Sequence, residues 1–269
     1  MTRLYEKKIF PEKENGLFKK FILAAMLTAF SLSNAQETRE IELQAQEILS
    51  RVDDIMRYPE GELKGKVMHL LPGGKSYSFS ITGKIAKEDF LFNVHSFERG
   101  EQYKILYNLG GEDIWVYNVL SVQMFHKIGI DKFDPVMGTN LSYIDISNYD
   151  LQSNYTAKID GNALVKGIQA IKLTLIPIFQ REEGMYGKLT LFVRRSDYYP
   201  LRIDFHDRDK VIMKTMSIVQ GAEFSRRKFP VRYDVLDIRK GSQTILNFLS
   251  LDEKVSFDPR IFRHEELPK

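Results

Sequence analysis

The sequence has no cysteine and only one tryptophan in 269 residues. The absence of thiols excludes disulfide bonds and cysteine catalysis. Five histidines, at positions 69, 95, 126, 206 and 264, are scattered, and neither an HExxH motif nor a paired-histidine spacing is present. The sequence also lacks a GxSxG motif and a phosphate-binding glycine loop. No catalytic residue, metal ligand or cofactor is therefore predicted, and the protein is predicted not to be an enzyme.

Long apolar runs are also scarce, and the clearest one lies near the N-terminus. Lys19 and Lys20 precede an uncharged stretch over residues 21–32, and the small residues of 33–35 follow. A membrane-spanning helix needs about 20 apolar residues, so this run is too short for an anchor. Such a pattern is typical of a cleaved export signal. The sequence thus predicts a signal peptide with a charged N-terminal extension over residues 1–35 and one mature domain over residues 36–269.

The predicted mature domain has no excess of either charge. The first 35 residues carry six of the 39 basic and three of the 36 acidic residues, which leaves 33 of each after cleavage. The calculated pI of about 8.8 therefore reflects the export segment. Because a nucleic-acid partner requires a clustered basic excess, no nucleic acid is predicted to bind. Residues 36–269 contain no proline-, serine- or glycine-rich linker, which favours a single domain.

A helix is predicted over Glu37–Tyr58, directly after the export signal. Apolar residues recur there at intervals of three and four, with charged residues between them. Pro59 and Gly61 end the pattern. This amphipathic helix is expected to cover a sheet, either by simple core packing or as a lid over a cavity.

Alternation of apolar and polar residues dominates the rest of the chain. It is clearest in Lys188–Arg194, Leu201–His206 and Val211–Val219, which turn-forming residues separate, and this predicts an antiparallel three-strand meander. Further strands are predicted over residues 76–81, 90–95, 102–109, 113–119, 168–176, 232–238 and 244–251. Short strands with glycine-containing turns are typical of a sandwich or barrel.

Several predicted strands carry bulky apolar residues on both faces. Leu91 lies opposite Phe90 and Phe92, and Phe192 lies opposite Leu191. A sheet that is apolar on both faces must be covered on both faces or must line an apolar ligand site. Residues 120–158 are apolar but weakly periodic, and a long irregular segment inside a compact domain is often functional.

Four segments carry a family resemblance. They are AQEILSRVDDIMR (Ala45–Arg57), DIWVY (Asp113–Tyr117), MGT (Met137–Thr139) and LTLFVRRSDYYPLRIDFHDRDKVIMKTMSI (Leu189–Ile218). In this order they resemble the LolA-like outer-membrane lipoprotein-sorting proteins. The resemblance implies a mainly β fold with covering helices: a single antiparallel, incompletely closed β-barrel with an N-terminal amphipathic helix and a lid segment within residues 120–158. The family's acidic cluster in that segment is reduced to Asp145 and Asp150.

The same resemblance implies a function. It indicates an exported, non-enzymatic carrier in the periplasm of a diderm bacterium, where the protein shields acyl chains of lipoproteins or lipids between the inner and outer membranes. Lipoprotein acyl chains or lipid would be its partners. A hypothesis of another class stays open: a periplasmic interaction module of an inner-membrane transporter, an exporter of the RND or MMPL type.

Six residues are predicted as cavity wall or lid: Phe79, Phe92, Trp115, Tyr117, Met137 and Phe192. Trp115 and Tyr117 share one strand face, so each belongs either to the core or to a cavity wall. Met137 lies in the irregular segment and is expected at the cavity mouth.

One cluster resembles a metal or acid–base site. His206 lies beside Asp204, Asp207 and Asp209. Aspartate is routine in hairpin turns, and strand alternation places Asp204 and His206 on the polar face. We therefore interpret the cluster as an exposed strand end followed by a turn.

The export signal gives a direct test of processing. Protein recovered from the periplasm should begin at Gln36, and its intact mass should lack residues 1–35, because signal peptidase cleaves after the small residues at 33–35. Mass spectrometry of the purified protein measures this. A full-length chain that stays in the inner membrane after a carbonate wash would show that the segment is an anchor.

Overall fold

The computed structural model describes residues 42–147, 150–178, 186–224 and 227–269. The predicted export signal and the first residues of the predicted helix lie outside these ranges. The chain divides into two compact units, Met1–Gln44 and Ala45–Lys269. Only residues 42–44 of the first unit are described, and they are helical. In the described ranges, no helix is both long enough and apolar enough to cross a bilayer.

In the described ranges, thirteen strands form one antiparallel sheet. They are β1 (Gly61–Leu70), β2 (Ser76–Ala86), β3 (Asp89–Ser96), β4 (Gln102–Asn108), β5 (Asp113–Asn118), β6 (Gln123–Lys127), β7 (Tyr155–Val165), β8 (Ile168–Pro177), β9 (Lys188–Arg194), β10 (Pro200–His206), β11 (Ile212–Phe224), β12 (Arg227–Asp237) and β13 (Ser242–Asp252). Their order is β6-β5-β4-β3-β2-β1-β13-β12-β11-β10-β9-β8-β7. Two meanders therefore lie side by side, and the antiparallel pairing of β1 with β13 joins them.

The helices are few and mostly short. They are α1 (residues 42–56), α2 (Tyr143–Ile146) and α3 (Leu151–Asn154). Short 3₁₀ turns form at Leu109–Gly111, Gly129–Phe133, Val136–Gly138, Pro259–Phe262 and His264–Glu266. The sheet does not close on itself, because its outermost strands, β6 and β7, are not paired with each other. The fold class expected from the sequence is confirmed.

All ten predicted strands are present, and three further strands were not predicted. These are β1, β6 and β7. In β1 the inward positions are Gly61, Leu63, Gly65, Val67 and His69. Two glycines and a histidine on the buried face weaken the apolar alternation on which strand prediction rests.

Helix α1 packs its apolar stripe against one face of the sheet, which we call the inner face. Ala45, Ile48, Leu49, Val52 and Met56 are all buried in the same core as the inward side chains of the strands. The amphipathic helix is therefore confirmed where it is described.

The aromatic ring that follows α1 fixes its C-terminal end. Tyr58 contacts four phenylalanine rings of β3, β12 and β13 at centroid distances of 5.4–5.9 Å. These tilted and edge-on geometries are the favourable ones for aromatic pairs. The helix end is thus held by strands from both meanders.

The opposite, outer face of the sheet carries a second, smaller core. Leu91, Leu106 and Tyr117 of β3, β4 and β5 are covered there by Phe262 and Leu267 of the C-terminal segment. This cover explains why strands in the first meander are apolar on both faces. The two-sided pattern therefore reflects a second core and not a second wall of a cavity.

Residues 128–154 connect the two edge strands, β6 and β7. Because these strands lie at opposite edges of the sheet, the connection must cross a face of the sheet. Val136, Leu141, Tyr143 and Leu151 are buried in the inner core, so the connection crosses the inner face. We call its described part, residues 128–147 and 150–154, the lid.

Asp53 ties α1 to the end of the lid. Its carboxylate accepts hydrogen bonds from the backbone N–H groups of Leu151 (2.9 Å) and Gln152 (2.9 Å), which begin α3. The side chain is only 5% exposed. Burial, which outweighs these two hydrogen bonds, raises the pKa of Asp53 to about 6.

Asp53 should therefore make stability depend on pH in a defined direction. A carboxyl whose pKa rises on folding binds its proton more tightly in the native state, so its contribution to stability falls as pH rises from about 4 to about 6. Asp53→Asn removes this term. Urea unfolding of both proteins should show the wild type losing up to about 3 kcal/mol relative to Asp53→Asn across that window. A constant difference between the two proteins would contradict the assignment.

Candidate functional site

An apolar cavity lies between the inner face of the sheet and the lid. Its walls are β1 to β4, β13 and the end of α1 on one side and Val136, Met137, Thr139, Leu141 and Ile146 of the lid on the other. Thr139 contributes the only aliphatic hydroxyl, and every other lining residue is aliphatic or aromatic. A cavity lined in this way has no charged group with which to hold an ion or a polar substrate.

The cavity is small as long as the lid is closed. Its volume is about 40 Å³, whereas pockets that hold small organic ligands are typically about 300–1,000 Å³. A ligand of that size therefore requires the lid to move away from the sheet.

The residues on the sheet side of the cavity are closely packed. A Cβ atom on Gly83 would lie 2.6 Å from the ring of Phe92, so only glycine allows this ring to lie against β2. The ring of Phe92 contacts Tyr58 (5.6 Å) and Phe90 (5.6 Å) edge-on. The sheet side of the cavity is thus closely packed.

The lid is held to the sheet by a buried polar network, which we call the latch. Asn140 is its centre in the lid. The side chain of Asn140 donates to the carbonyl oxygen of Ser242 (2.7 Å) and accepts from the Ser242 hydroxyl (2.8 Å), and its backbone N–H donates to Thr244 Oγ1 (2.9 Å). These bonds satisfy polar groups that would otherwise be buried without partners.

The second part of the latch is a buried ion pair. Lys214 of β11 pairs with Asp145 of α2, and its ammonium group also donates to the carbonyl oxygen of Asn140 (3.2 Å). Asp145 further accepts from Tyr186 Oη (3.0 Å) and from the backbone N–H of Ser142 (2.6 Å). Because every charge in this pair has several partners, the closed lid is compatible with its burial.

His69 extends the latch along β1. Its Nδ1 lies 2.9 Å from Thr244 Oγ1. Burial, with the nearby cations as a smaller cause, lowers the pKa of His69. The lowered pKa favours the neutral imidazole, whose Nδ1 can accept a hydrogen bond from the Thr244 hydroxyl.

Three of the six residues predicted as cavity wall or lid lie together around the cavity. Phe79 of β2 and Phe92 of β3 form part of the sheet side, and Met137 forms part of the lid side. Met137 is half-buried and has a left-handed backbone conformation with φ of 51°. Their contact with a ligand stays a prediction.

The other three do not line the cavity. Trp115 is stacked between the rings of His126 (4.1 Å) and His264 (4.3 Å), and Tyr117 is buried under the C-terminal segment. Phe192 lies beneath the guanidinium of Arg202. The structure therefore does not place these three residues in the cavity wall, where they were expected. Alternation defines the two faces of a strand but does not reveal which face is the inner one.

The expectation that Asp204 and His206 are exposed is wrong. They are 4% and 6% exposed. Asp204 accepts two hydrogen bonds from Arg202 (2.6 and 2.9 Å), and His206 is hydrogen-bonded to Thr190 (3.0 Å). Long neighbouring side chains cover these positions, which a pattern of single residues does not reveal. Among the described residues, no three or more His, Asp or Glu side chains are gathered as a metal site.

Sequence reasoning missed the latch, although one signal for it exists. In β11 the inward residues are Lys214, Met216 and Ile218. A lysine therefore occupies an inward position in an otherwise apolar series. A charged residue at an inward position requires a partner, and Asp145 is the partner. No spacing rule connects two residues so far apart in the chain.

Comparison with known proteins agrees with this architecture. Residues 87–269 match a protein family described as "-like: Uncharacterized protein". No curated protein that was compared matches the chain. A DUF1329 family protein from Desulfovibrio piger is 24% identical in sequence, with 84% of this chain and 99% of that chain covered and a TM-score of 0.71.

Two further solved structures share the fold. A putative outer membrane lipoprotein-sorting protein domain from Vibrio parahaemolyticus is 16% identical, with 85% of this chain and 100% of that chain covered and a TM-score of 0.72. A LolA superfamily protein from Nitrosomonas europaea is 19% identical, with 82% and 98% covered and a TM-score of 0.65. The chain thus has the LolA-like fold expected from its sequence, and it belongs to the family of uncharacterized proteins whose common sequence spans residues 87–269.

Proposed function

We propose that this protein is a non-enzymatic carrier that holds the acyl chains of a lipid or lipoprotein between the inner face of the sheet and the lid, and that it acts in the periplasm. The observation that carries the proposal is the apolar cavity closed by a lid that polar bonds fasten to the sheet. The solved structure named as a putative lipoprotein-sorting domain has the same fold and supports it.

The cavity wall supplies the driving force for binding. Each methylene transferred from water into an apolar site contributes about 0.8 kcal/mol. A chain of ten buried methylenes would therefore contribute about 8 kcal/mol, which is enough to offset the loss of several packing contacts in the lid. Affinity is expected to rise with chain length until the opened site is filled.

The latch suits a lid that must open and close. When the lid lifts, water replaces each of its hydrogen bonds, so one such bond stabilises the closed state by only about 1 kcal/mol net. Separation of Lys214 from Asp145 exposes both charges to water, and this hydration largely compensates for the lost attraction. The latch thus fixes the position of the closed lid and adds only modestly to the cost of opening, which comes mainly from the buried apolar side chains of the lid.

A second function, docking to a partner protein, is favoured by one separate observation. Five large apolar side chains around edge strand β6 are exposed: Leu120, Val122, Phe125, Ile128 and Ile130. Exposed apolar groups at an unpaired strand edge are typical of a surface that another protein covers. This surface overlaps the first residues of the lid at Ile128 and Ile130, so a docked membrane transporter would contact the start of the lid.

Locking the lid should stop lipid transfer. The backbone N–H of Asn140 donates to Thr244 Oγ1 (2.9 Å), so the two residues are neighbours, and a disulfide between Asn140→Cys and Thr244→Cys would join the lid to the sheet. The native chain has no cysteine, so no other pairing competes. Transfer of a neutral diacylglycerol between vesicles should fall to the rate without protein when the disulfide is formed, and should recover on reduction.

The two single-cysteine variants are the matched controls, and their transfer rates should not respond to reduction. Equal transfer by the oxidised and reduced double variant would show that acyl chains do not pass under the lid. No transfer by the wild type would overturn the carrier function and leave the docking function, which a pull-down of membrane transporters with and without Phe125→Asp would then test.

A further inference from the structure

One residue that lines the lid cavity carries a buried hydroxyl without a hydrogen-bond partner among the described residues. The hydroxyl of Tyr107 is fully buried and has no hydrogen-bond partner among the described residues. Two other buried polar side-chain atoms in the described ranges share this condition, on Gln46 and Tyr199. Of the three residues, Tyr107 lines the cavity.

An unpaired hydroxyl at this place is unfavourable for the empty protein. A buried donor that has lost its water and gained no partner destabilises the fold, and phenylalanine would fill nearly the same volume without that penalty. The hydroxyl therefore needs a hydrogen-bond acceptor that is not present in the closed, empty state. A ligand in the cavity is the natural source of one.

The ring of Tyr107 is held in a fixed orientation. It stacks on Phe90 with ring centroids 4.5 Å apart and an angle of 14°, and it meets Phe92 edge-on at 6.0 Å. Only the rotation of the O–H bond stays free. The donor is thus positioned before any ligand arrives, which lowers the entropic cost of a hydrogen bond to it.

The surroundings define which acceptor fits. Burial raises the pKa of Tyr107, so the hydroxyl keeps its proton and acts as a donor. A carboxylate would have to lose its hydration in an apolar cavity, which is costly. Alkyl chains carry no acceptor at all. The ligand must therefore carry a hydrogen-bond acceptor and no charge. A neutral carbonyl oxygen attached to an alkyl chain meets both conditions.

We propose that Tyr107 donates a hydrogen bond to the carbonyl oxygen of an acyl ester, and that this bond makes the site select acyl esters over alkyl ethers of the same length. This inference rests on the proposed carrier function, because it concerns a ligand that occupies the lid cavity. It names the chemical class of that ligand as a neutral ester-linked lipid.

Two matched lipids and two matched variants test the proposal. The lipids are a diacylglycerol and the dialkyl glycerol ether with the same chains, which differ only in their carbonyl groups. The variants are Tyr107→Phe and Tyr199→Phe, each of which removes one buried, unpaired hydroxyl. Tyr199 lines a separate groove that shares no residue with the cavity. Dissociation constants are measured by extraction of each lipid from vesicles, with mass spectrometry of the protein-bound fraction.

The wild type should bind the ester about tenfold more tightly than the ether, which is the effect of one hydrogen bond to a buried donor. Tyr107→Phe should bind both lipids with the affinity that the wild type has for the ether, and its thermal stability should be equal or higher. Tyr199→Phe should keep the preference of the wild type.

Equal binding of ester and ether by the wild type, or an unchanged preference in Tyr107→Phe, would overturn the role of Tyr107 while leaving the carrier function intact. Failure of the wild type to bind either lipid would overturn the carrier function itself, and the role of Tyr107 with it. Unchanged ether binding by Tyr107→Phe also shows that this variant is folded.

Discussion

The fold depends on one topological constraint: consecutive strands β6 and β7 lie at opposite edges of a single sheet. The chain between them has to cross a face of the sheet, and α1 already covers part of the inner face. The crossing segment therefore packs beside α1, and the space left between this segment and the first meander becomes the cavity. Asp53 of α1 binds the start of α3 at the far end of the crossing, so helix and lid form one cover over an open sheet.

The chemistry of this cover is divided between two kinds of interaction. Apolar packing surrounds the cavity and also holds the lid through residues such as Val136 and Leu141, and the polar latch around Asn140 and Lys214 adds a second set of contacts. Apolar packing is strong and gains nothing from water when it separates, while polar bonds exchange with water at little net cost. The apolar contacts of the lid therefore set most of the cost of opening it, and the latch sets the position at which the lid packs. The hydroxyl of Tyr107, which has no partner among the described residues, is a polar group within the apolar wall.

Much of the fold was predictable because its signals are local. The alternation in β9 and β10 gives their bounds to within one residue, and the apolar stripe of α1 identifies its buried face. Strand β1 escaped prediction because two glycines and a histidine occupy its buried face. The prediction of the cavity wall failed where the outer core lies. Trp115 and Tyr117 were predicted as core or cavity wall, but the C-terminal segment covers them on the other face of the sheet.

The sequence by itself determined ten of the thirteen described strands and the helix α1, because periodicity and turn residues act between neighbours in the chain. The LolA-like fold came from the resemblance of several short segments to that family. The tertiary structure alone decided which face is inner, how large the cavity is, and which distant residues form the latch. Asn140 and Ser242 meet across 102 positions of the chain, and Lys214 and Asp145 across 69. Such pairings follow from the order of the strands and from the path of the lid. No local pattern of residues reveals the strand order or the path of the lid.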